Sequence, residues 1–345
     1  MTGKASSRPA EIATARFVRV TGHEPGLLAP LARDAIEAAC RQAFGSATRV
    51  AASTLLRHGG FNTCYRVELA GHEPVILRVA PPERAPLFRH ERELMAREAC
   101  VQPLLARLGR VTARILYQNF SCAALPRPYM LLECKPGEPW DHAAARIGPA
   151  DSAALWREYG GLVRALHAIG GVRFGSPLPG AGTASHADWL LGLFDDLAQD
   201  LAQRNLAVPG LAEFRIALDC RRAQLEPDAP PRLVHGDLWP RNVLVTQEEG
   251  AWRISAILDA ERAFWSEPAA EWIFSHLELP PAFWEAYGKD LSPTRLSGDA
   301  RVRAIAYQAR GALQLILECA RSGADASFAH ANFARALQAL RAQHG

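Results

Sequence analysis

Three polar residues in a fixed order suggest where chemistry would lie. The stretch His235-Gly236-Asp237-Leu238-Trp239-Pro240-Arg241-Asn242 is followed by Ile257-Leu258-Asp259. That is a carboxylate, an amide five residues on, and a second carboxylate seventeen residues later. Apolar residues flank both segments: Leu233, Val234 and Val243 to Val245 around the first, Ile254, Ile257 and Leu258 before the end of the second. Each half therefore reads as a loop beside a short buried strand. Phosphoryl transfer calls for such a set, with one carboxylate to orient a hydroxyl and an amide plus a carboxylate to hold magnesium. Gly, Asp, Pro and Asn are also turn residues, so a lone Asp-x-x-x-x-Asn would read as a solvated turn. The ordered set, with His235 ahead and an apolar-flanked Asp259 behind, favours the catalytic reading.

This chemistry also needs groups that hold a nucleotide's phosphates. Three strand-like runs lie upstream, Val50 to Leu56, Tyr65 to Leu69 and Val75 to Ala80, with His58-Gly59-Gly60-Phe61-Asn62-Thr63 between the first two. Two glycines there can make a hairpin turn, or let backbone N–H groups approach phosphate oxygens. The third run carries Arg78 inside Val75-Ile76-Leu77-Arg78-Val79. A charge in an apolar strand either snorkels at an edge or has a partner. The three lysines, Lys4, Lys135 and Lys289, are remote in sequence, so Arg78 is the candidate phosphate cation. Arginine can grip phosphate bidentately. Leu87 to Leu108 reads as a long helix after prolines 81, 82 and 86, kinked or split at Pro103. It offers Glu98 as the partner of Arg78, with Glu93 as the alternative.

Two more strands, Ala113 to Asn119 and Pro128 to Glu133, lead into Glu133-Cys134-Lys135-Pro136-Gly137. Apolar residues giving way to Pro-Gly mark a boundary, which divides the chain into residues 1–135, including an extension over 1–48, and residues 136–345. A helix is expected over Leu27 to Phe44, and the first ten or so residues read as disordered. Beyond the boundary the periodicity is helical: Ser152 to Ile169, Ala187 to Leu206, Leu211 to Leu225, Glu267 to Leu277, Pro281 to Tyr287, Ala300 to Ser322 and Ser327 to Gln343. His167 sits on an apolar face there and reads as a core histidine.

Composition bounds the rest. At 345 residues and 49% hydrophobic, the chain can bury one large core or two lobes. A net charge of +3 with mixed signs gives no case for nucleic acid or a membrane surface. No apolar run reaches the roughly 20 residues that span a bilayer, and the N-terminus lacks the apolar core of a signal peptide. Seven cysteines are scattered without a C-x-x-C, which suggests reduced thiols in a cytoplasmic protein.

Over about residues 50 to 330 the sequence resembles the aminoglycoside phosphotransferase-like small-molecule kinases. The resemblance is carried by His235-Gly236-Asp237, Asn242 and Asp259, and by the order of strand lobe, connector and helical lobe. It implies an α+β, two-lobed protein-kinase-like fold: an N-terminal nucleotide-binding lobe with a five-stranded antiparallel sheet and a long helix, and a mainly helical C-terminal lobe. It implies ATP and Mg²⁺ as cofactors and a small-molecule acceptor with a free hydroxyl. Asp237 matches the catalytic base, Asn242 and Asp259 the magnesium ligands, Arg78 the strand cation and Glu98 its helix partner. Gly59, Gly60, Asn62 and Thr63 match the nucleotide loop. Glu133, Cys134 and Lys135 match the adenine connector, with Leu132 before it, and His235 matches a structural brace.

The sequence departs from the family in places. Trp239 stands where many protein kinases have lysine. Arg241 replaces a frequent glycine and could place positive charge near the γ-phosphate. Ala260-Glu261 follows the aspartate in place of Phe-Gly, as expected for this family and not for protein kinases, and Glu271 stands where aspartate is usual. Only eleven residues separate Asp259 from Glu271, and Ala-Pro-Glu is absent, which disfavours a protein kinase. A nucleotide-binding pseudokinase is disfavoured by the intact Asp237, Asn242 and Asp259. The C-terminal helices mix Glu with Arg and are rich in aromatics. That leans toward a neutral antibiotic or metabolite as acceptor, rather than an aminoglycoside.

Overall fold

The structure is a computed structural model that describes residues 27–56 and 60–344. Residues 1–26 of the expected extension, and His58 and Gly59 of the glycine loop, lie outside the described residues.

The first half is a sheet with helices against it. Helix α1 (Arg33–Phe44) turns Ile36, Ala39 and Cys40 inward and exposes its charged face. Strands β1 (Val50–Leu56), β2 (Thr63–Leu69) and β3 (Val75–Val79) are followed by helix α2 (Leu94–Leu105), β4 (Ile115–Asn119) and β5 (Tyr129–Glu133). The sheet order is β1-β2-β3-β5-β4, antiparallel throughout. β2 alternates as its sequence demands, burying Tyr65, Val67 and Leu69 and exposing Arg66. β3 is central, which accounts for its apolar residues on both faces, and Arg78 within it stands between Cys64 and Met130.

The expected helix from 87 to 108 is shorter and broken. A single turn spans Arg89–Glu91, the chain then reverses at Glu93 with φ 59°, and α2 runs only from Leu94 to Leu105. Tertiary contacts impose the break. The buried Glu91 accepts from Phe88 N–H at 3.0 Å and pairs with Arg321 at 2.6 Å, and Arg89 N–H donates to Asp200 at 2.8 Å. These bonds fasten the start of α2 to the helical half. Pro103 lies in the last turn of α2 without ending it.

The second half holds the remaining helices. β6 (Glu138–Pro139) and α3 (Trp140–Ala143) lead to α4 (Pro149–His167), α5 (His186–Gln203) and α6 (Leu211–Asp219). Then come β7 (Arg232–Val234), β8 (Val243–Glu248), β9 (Ala251–Ile257) and β10 (Phe264–Ser266). The chain finishes with α7 (Trp272–His276), α8 (Pro281–Tyr287), α9 (Gly298–Ser322) and α10 (Ser327–Arg341). β8 and β9 form a hairpin with β6 on its edge, and β7 pairs with β10. One core gathers α5, α6, α9 and α10, with Phe194, Phe214 and Phe333 in contact at its centre. A second packs α4 and α8 on the hairpin through Trp156, Tyr159, Phe274 and Phe283. All seven cysteines are free thiols. No described helix is long and apolar enough to cross a membrane.

Candidate active site

The chain folds Asp237 and Asn242 into the loop between β7 and β8, and Asp259 into the exit of β9. Gly236 makes this loop possible. Its φ is 78°, and a side chain would place Cβ 2.6 Å from the Arg262 carbonyl. Asn242 Nδ2 donates to the Asp237 carbonyl at 2.9 Å and to its Oδ2 at 2.7 Å, which fixes both side chains. Burial pushes the half-buried Asp237 carboxyl up to about 7, against the pull of Arg262. Asp259 has φ 69°, a left-handed conformation that aims its carboxylate back toward the sheet.

Arg78 meets that carboxylate. Its Nη1 reaches Glu98 at 3.0 Å, and its Nη2 donates to Asp259 and, at 2.6 Å, to Glu261. The partner on α2 is Glu98. Glu93 is exposed at the chain reversal, where it cannot reach. Burial opposes charge on all of these groups. For Asp259 the Arg78 guanidinium outweighs it and holds the carboxyl below the usual range, while Glu98 and Glu261 are pushed up.

Nothing in the sequence around Glu261 assigns it a role. It joins the two halves, since Asn62 Nδ2 donates to it at 2.6 Å across 199 positions of sequence. Asn62 is buried, and Gly60 beside it faces open space, where a Cβ would meet nothing within 4 Å. Thr63 does not join the loop's open face. It is buried in β2, and its hydroxyl is engaged with Ala29, accepting from Ala29 N–H at 3.2 Å. Phe61 and Cys64 line the cleft in its place.

The cleft holds about 870 Å³ between the sheet and the helices, and Asn62, Asp237, Asn242, Asp259 and Glu261 all line it. Leu132, Glu133, Cys134 and Lys135 are not among its lining residues. Leu132 is packed with Met95 and Met130, and Glu133 pairs with Arg114 and Lys135 at 3.3 and 3.5 Å. Of the C-terminal aromatics, Phe264 and Trp272 face the cleft with Trp239, while Phe274, Phe283, Trp284 and Tyr287 pack together as core. The exposed Arg241 lies 4.8 Å over the Trp239 ring.

Glu271 braces the loop from behind. Its carboxylate accepts from His235 N–H and Gly236 N–H, both at 2.9 Å, and from Trp272 N–H at 3.2 Å. His167 bridges Glu271 to the Tyr287 hydroxyl, at 3.3 and 2.8 Å. The helix expected over 267–277 is therefore interrupted, because Glu271 takes an extended backbone (ψ 127°) to reach the loop. Burial works against the charge, but the His167 hydrogen bond and the backbone N–H groups hold the carboxyl low. Glu271→Ala would strand two buried N–H donors, and should cost about 3 kcal/mol or more in urea unfolding. Because the folded pKa is lowered, the contribution is complete above the unfolded value of about 4.3. It is lost as pH falls through the folded value, so Glu271→Gln should flatten this acid limb of the stability curve.

The residues present fit magnesium. Among the described residues no cluster of three His, Cys, Asp or Glu could hold a metal unaided. Magnesium needs less from the protein, commonly one or two carboxylates together with substrate phosphates. Asp259 and the side-chain oxygen of Asn242 are hard donors of that kind on one cleft wall.

Comparison with known proteins places these observations. A family model described as "Phosphotransferase enzyme family" matches residues 53–305. Among solved structures, a thermostable mutant of aminoglycoside phosphotransferase APH(4)-Ia, in ternary complex with AMP-PNP and hygromycin B, is 18% identical with a TM-score of 0.60. The match covers 88% of this chain and 98% of that one. The streptomycin–ATP complex of APH(2")-IIa is 14% identical with a TM-score of 0.57, covering 90% and 97%. A candidate fructosamine-3-kinase from Thermobifida fusca is 21% identical with a TM-score of 0.56, covering 89% and 97%. These likenesses show a shared fold, two-lobed and protein-kinase-like. No curated protein matches the chain.

Proposed function

The chain belongs to the phosphotransferase enzyme family, and from that premise we propose that it moves the γ-phosphoryl group of ATP to a hydroxyl of a small molecule. The observation that carries the reading is the meeting of Asp237, Asn242, Asp259 and Asn62 on one cleft, with the buried Arg78 bonded to Asp259 and Glu261 behind its wall. In this reading residues up to 135 form the nucleotide lobe, and residues 136–345 carry the catalytic loop and the acceptor site. Arg78 and the backbone of the loop at Gly60 grip the phosphates, and Glu98 and Glu261 set the position of Arg78. The backbone of Glu133 to Lys135 takes the adenine edge.

Asn242 and Asp259 would hold magnesium, which would supply positive charge against the phosphate oxygens. Asp237 accepts a hydrogen bond from the acceptor hydroxyl, aims its oxygen along the line of attack, and takes the proton as the new bond to phosphorus forms and the bond to the bridging oxygen breaks, ADP leaving with that electron pair. Catalysis of this kind is mainly positioning and charge stabilisation. The segment after Asp259 supports a small-molecule acceptor, because β10 is buried against β7 and offers no extended platform for a peptide. The acceptor class is a hydroxylated antibiotic or related metabolite, and free thiols with ATP dependence suit a cytoplasmic setting.

The test is a panel of hydroxylated compounds incubated with ATP and Mg²⁺ and read as mass gain of one phosphate. Product should form in the complete mixture and disappear when EDTA removes the metal. Equal product with EDTA would remove magnesium from the account.

A further inference from the structure

Several basic side chains of the cleft have no part in the mechanism above. His90, Arg97, Arg262, Arg310 and Arg321 line it between the start of α2 and helix α9. Two of the arginines are neutralised: Arg262 pairs with Glu318 at 3.0 Å, and Arg321 with Glu91 at 2.6 Å. Arg97 and Arg310 have no carboxylate within salt-bridge distance among the described residues. Arg97 reaches only the His90 carbonyl, at 3.4 Å, and Arg310 lies 4.8 Å over the Phe264 ring. The buried Nε atoms of both, and both ring nitrogens of His90, meet no hydrogen-bond partner among the described residues. A buried donor without a partner is costly, and a charged one more so.

The groups also disfavour one another's charge. Burial, and then Arg262, bring Arg310 down to about 10. Burial, and then the four surrounding arginines, keep His90 well below its ordinary value. Two uncompensated guanidiniums and a neutral imidazole thus converge on one wall. The neighbouring Arg262–Glu318 pair links the two places: Arg262 acts on Arg310, and both members of the pair act on Asp237. Planar guanidinium donors match the oxygens of carboxylate and phosphate groups. A polycation would be repelled by the same wall.

We propose that the acceptor carries, besides its reacting hydroxyl, a carboxylate or phosphate group that docks on Arg97, Arg310 and His90. This rests on the phosphotransferase reading of the cleft, and it gives the acceptor an anionic end where the sequence leaned toward a neutral one.

The probes are inorganic phosphate and malonate, each titrated calorimetrically into enzyme saturated with AMP-PNP and Mg²⁺, so that the nucleotide half is filled. At least one should bind at a single site. The better binder identifies the acceptor's anion as phosphate or carboxylate. Arg310→Gln and Arg97→Gln should each weaken it about tenfold or more, with AMP-PNP affinity unchanged and part of the loss restored by Arg310→Lys. Arg97→Gln keeps the test readable if Arg310→Gln fails to fold. Binding of neither anion, or binding indifferent to both substitutions, would overturn the proposal. If AMP-PNP itself does not bind, the phosphotransferase reading fails instead, and the anions titrated alone still report on the basic wall.

Discussion

Asp237→Ala should bind ATP with nearly wild-type affinity and lose about 10²- to 10⁴-fold in turnover, the usual range for a positioned general base. The separation follows from the layout of the cleft. The phosphate grip proposed above is anchored by Arg78 and by Asn62 of the loop after Gly60, whose side chains bond Glu98 and Glu261, not Asp237. Among the described residues, the Asp237 side chain is hydrogen-bonded to Asn242 alone, at 2.7 Å. Burial that raises its carboxyl to about 7 also makes it a better proton acceptor than an ordinary aspartate. Truncation removes the acceptor of the hydroxyl proton and leaves the phosphate grip in place. Calorimetric ATP affinity and kcat measured on the same preparation check the prediction. Parallel loss of both would make Asp237 part of the nucleotide site rather than the base.

Arg78→Ala should be the most destabilising single change in the site. Arg78 and its partners Glu98 and Glu261 have side chains only 9%, 4% and 5% exposed. Replacing the guanidinium leaves three carboxylates facing one another with no cation among them. Breaking a buried ion pair on one side costs about 3–5 kcal/mol, and nucleotide affinity should fall with it. Glu98→Gln should cost less, because Asp259 and Glu261 still satisfy Arg78 and the amide oxygen can still accept. Urea unfolding of the two variants checks the ordering. Unchanged stability in Arg78→Ala would mean that the carboxylates find protons or water without cost.

Much of this site could be read in the sequence because its chemistry is local. Asp237 and Asn242 lie five residues apart in one loop, and Asp259 ends the next strand, so spacing reports their geometry. Arg78 was legible as a charge stranded in an apolar strand. What was hidden depends on long-range contacts. The phase of the helix after Arg78 is reset at Glu93 by bonds from Glu91 and Arg89 to α9 and α5, so the choice between Glu93 and Glu98 could not be made from periodicity. Glu261 gains its role from Asn62, far away in sequence, and its one local signal is an acid two residues past Asp259. Thr63 looked like part of an open loop because nothing nearby in the sequence shows Ala29 lying against it. The helix from 267 breaks because Glu271 reaches the β7–β8 loop, which helical periodicity cannot report. Arg97 and Arg310 belong to elements more than two hundred residues apart, and each alone reads as a solvated helix charge.

Phosphorus NMR of a reaction with ATP, Mg²⁺ and hydroxylated acceptors bearing a carboxylate or phosphate tests the central claim most directly. Loss of the γ-phosphate signal should be matched by a new phosphate-ester signal on the small molecule with wild-type enzyme, and by neither change with Asp237→Ala. Loss of the γ-signal to inorganic phosphate alone across the panel, or the same ester formed at the same rate by Asp237→Ala, would contradict it.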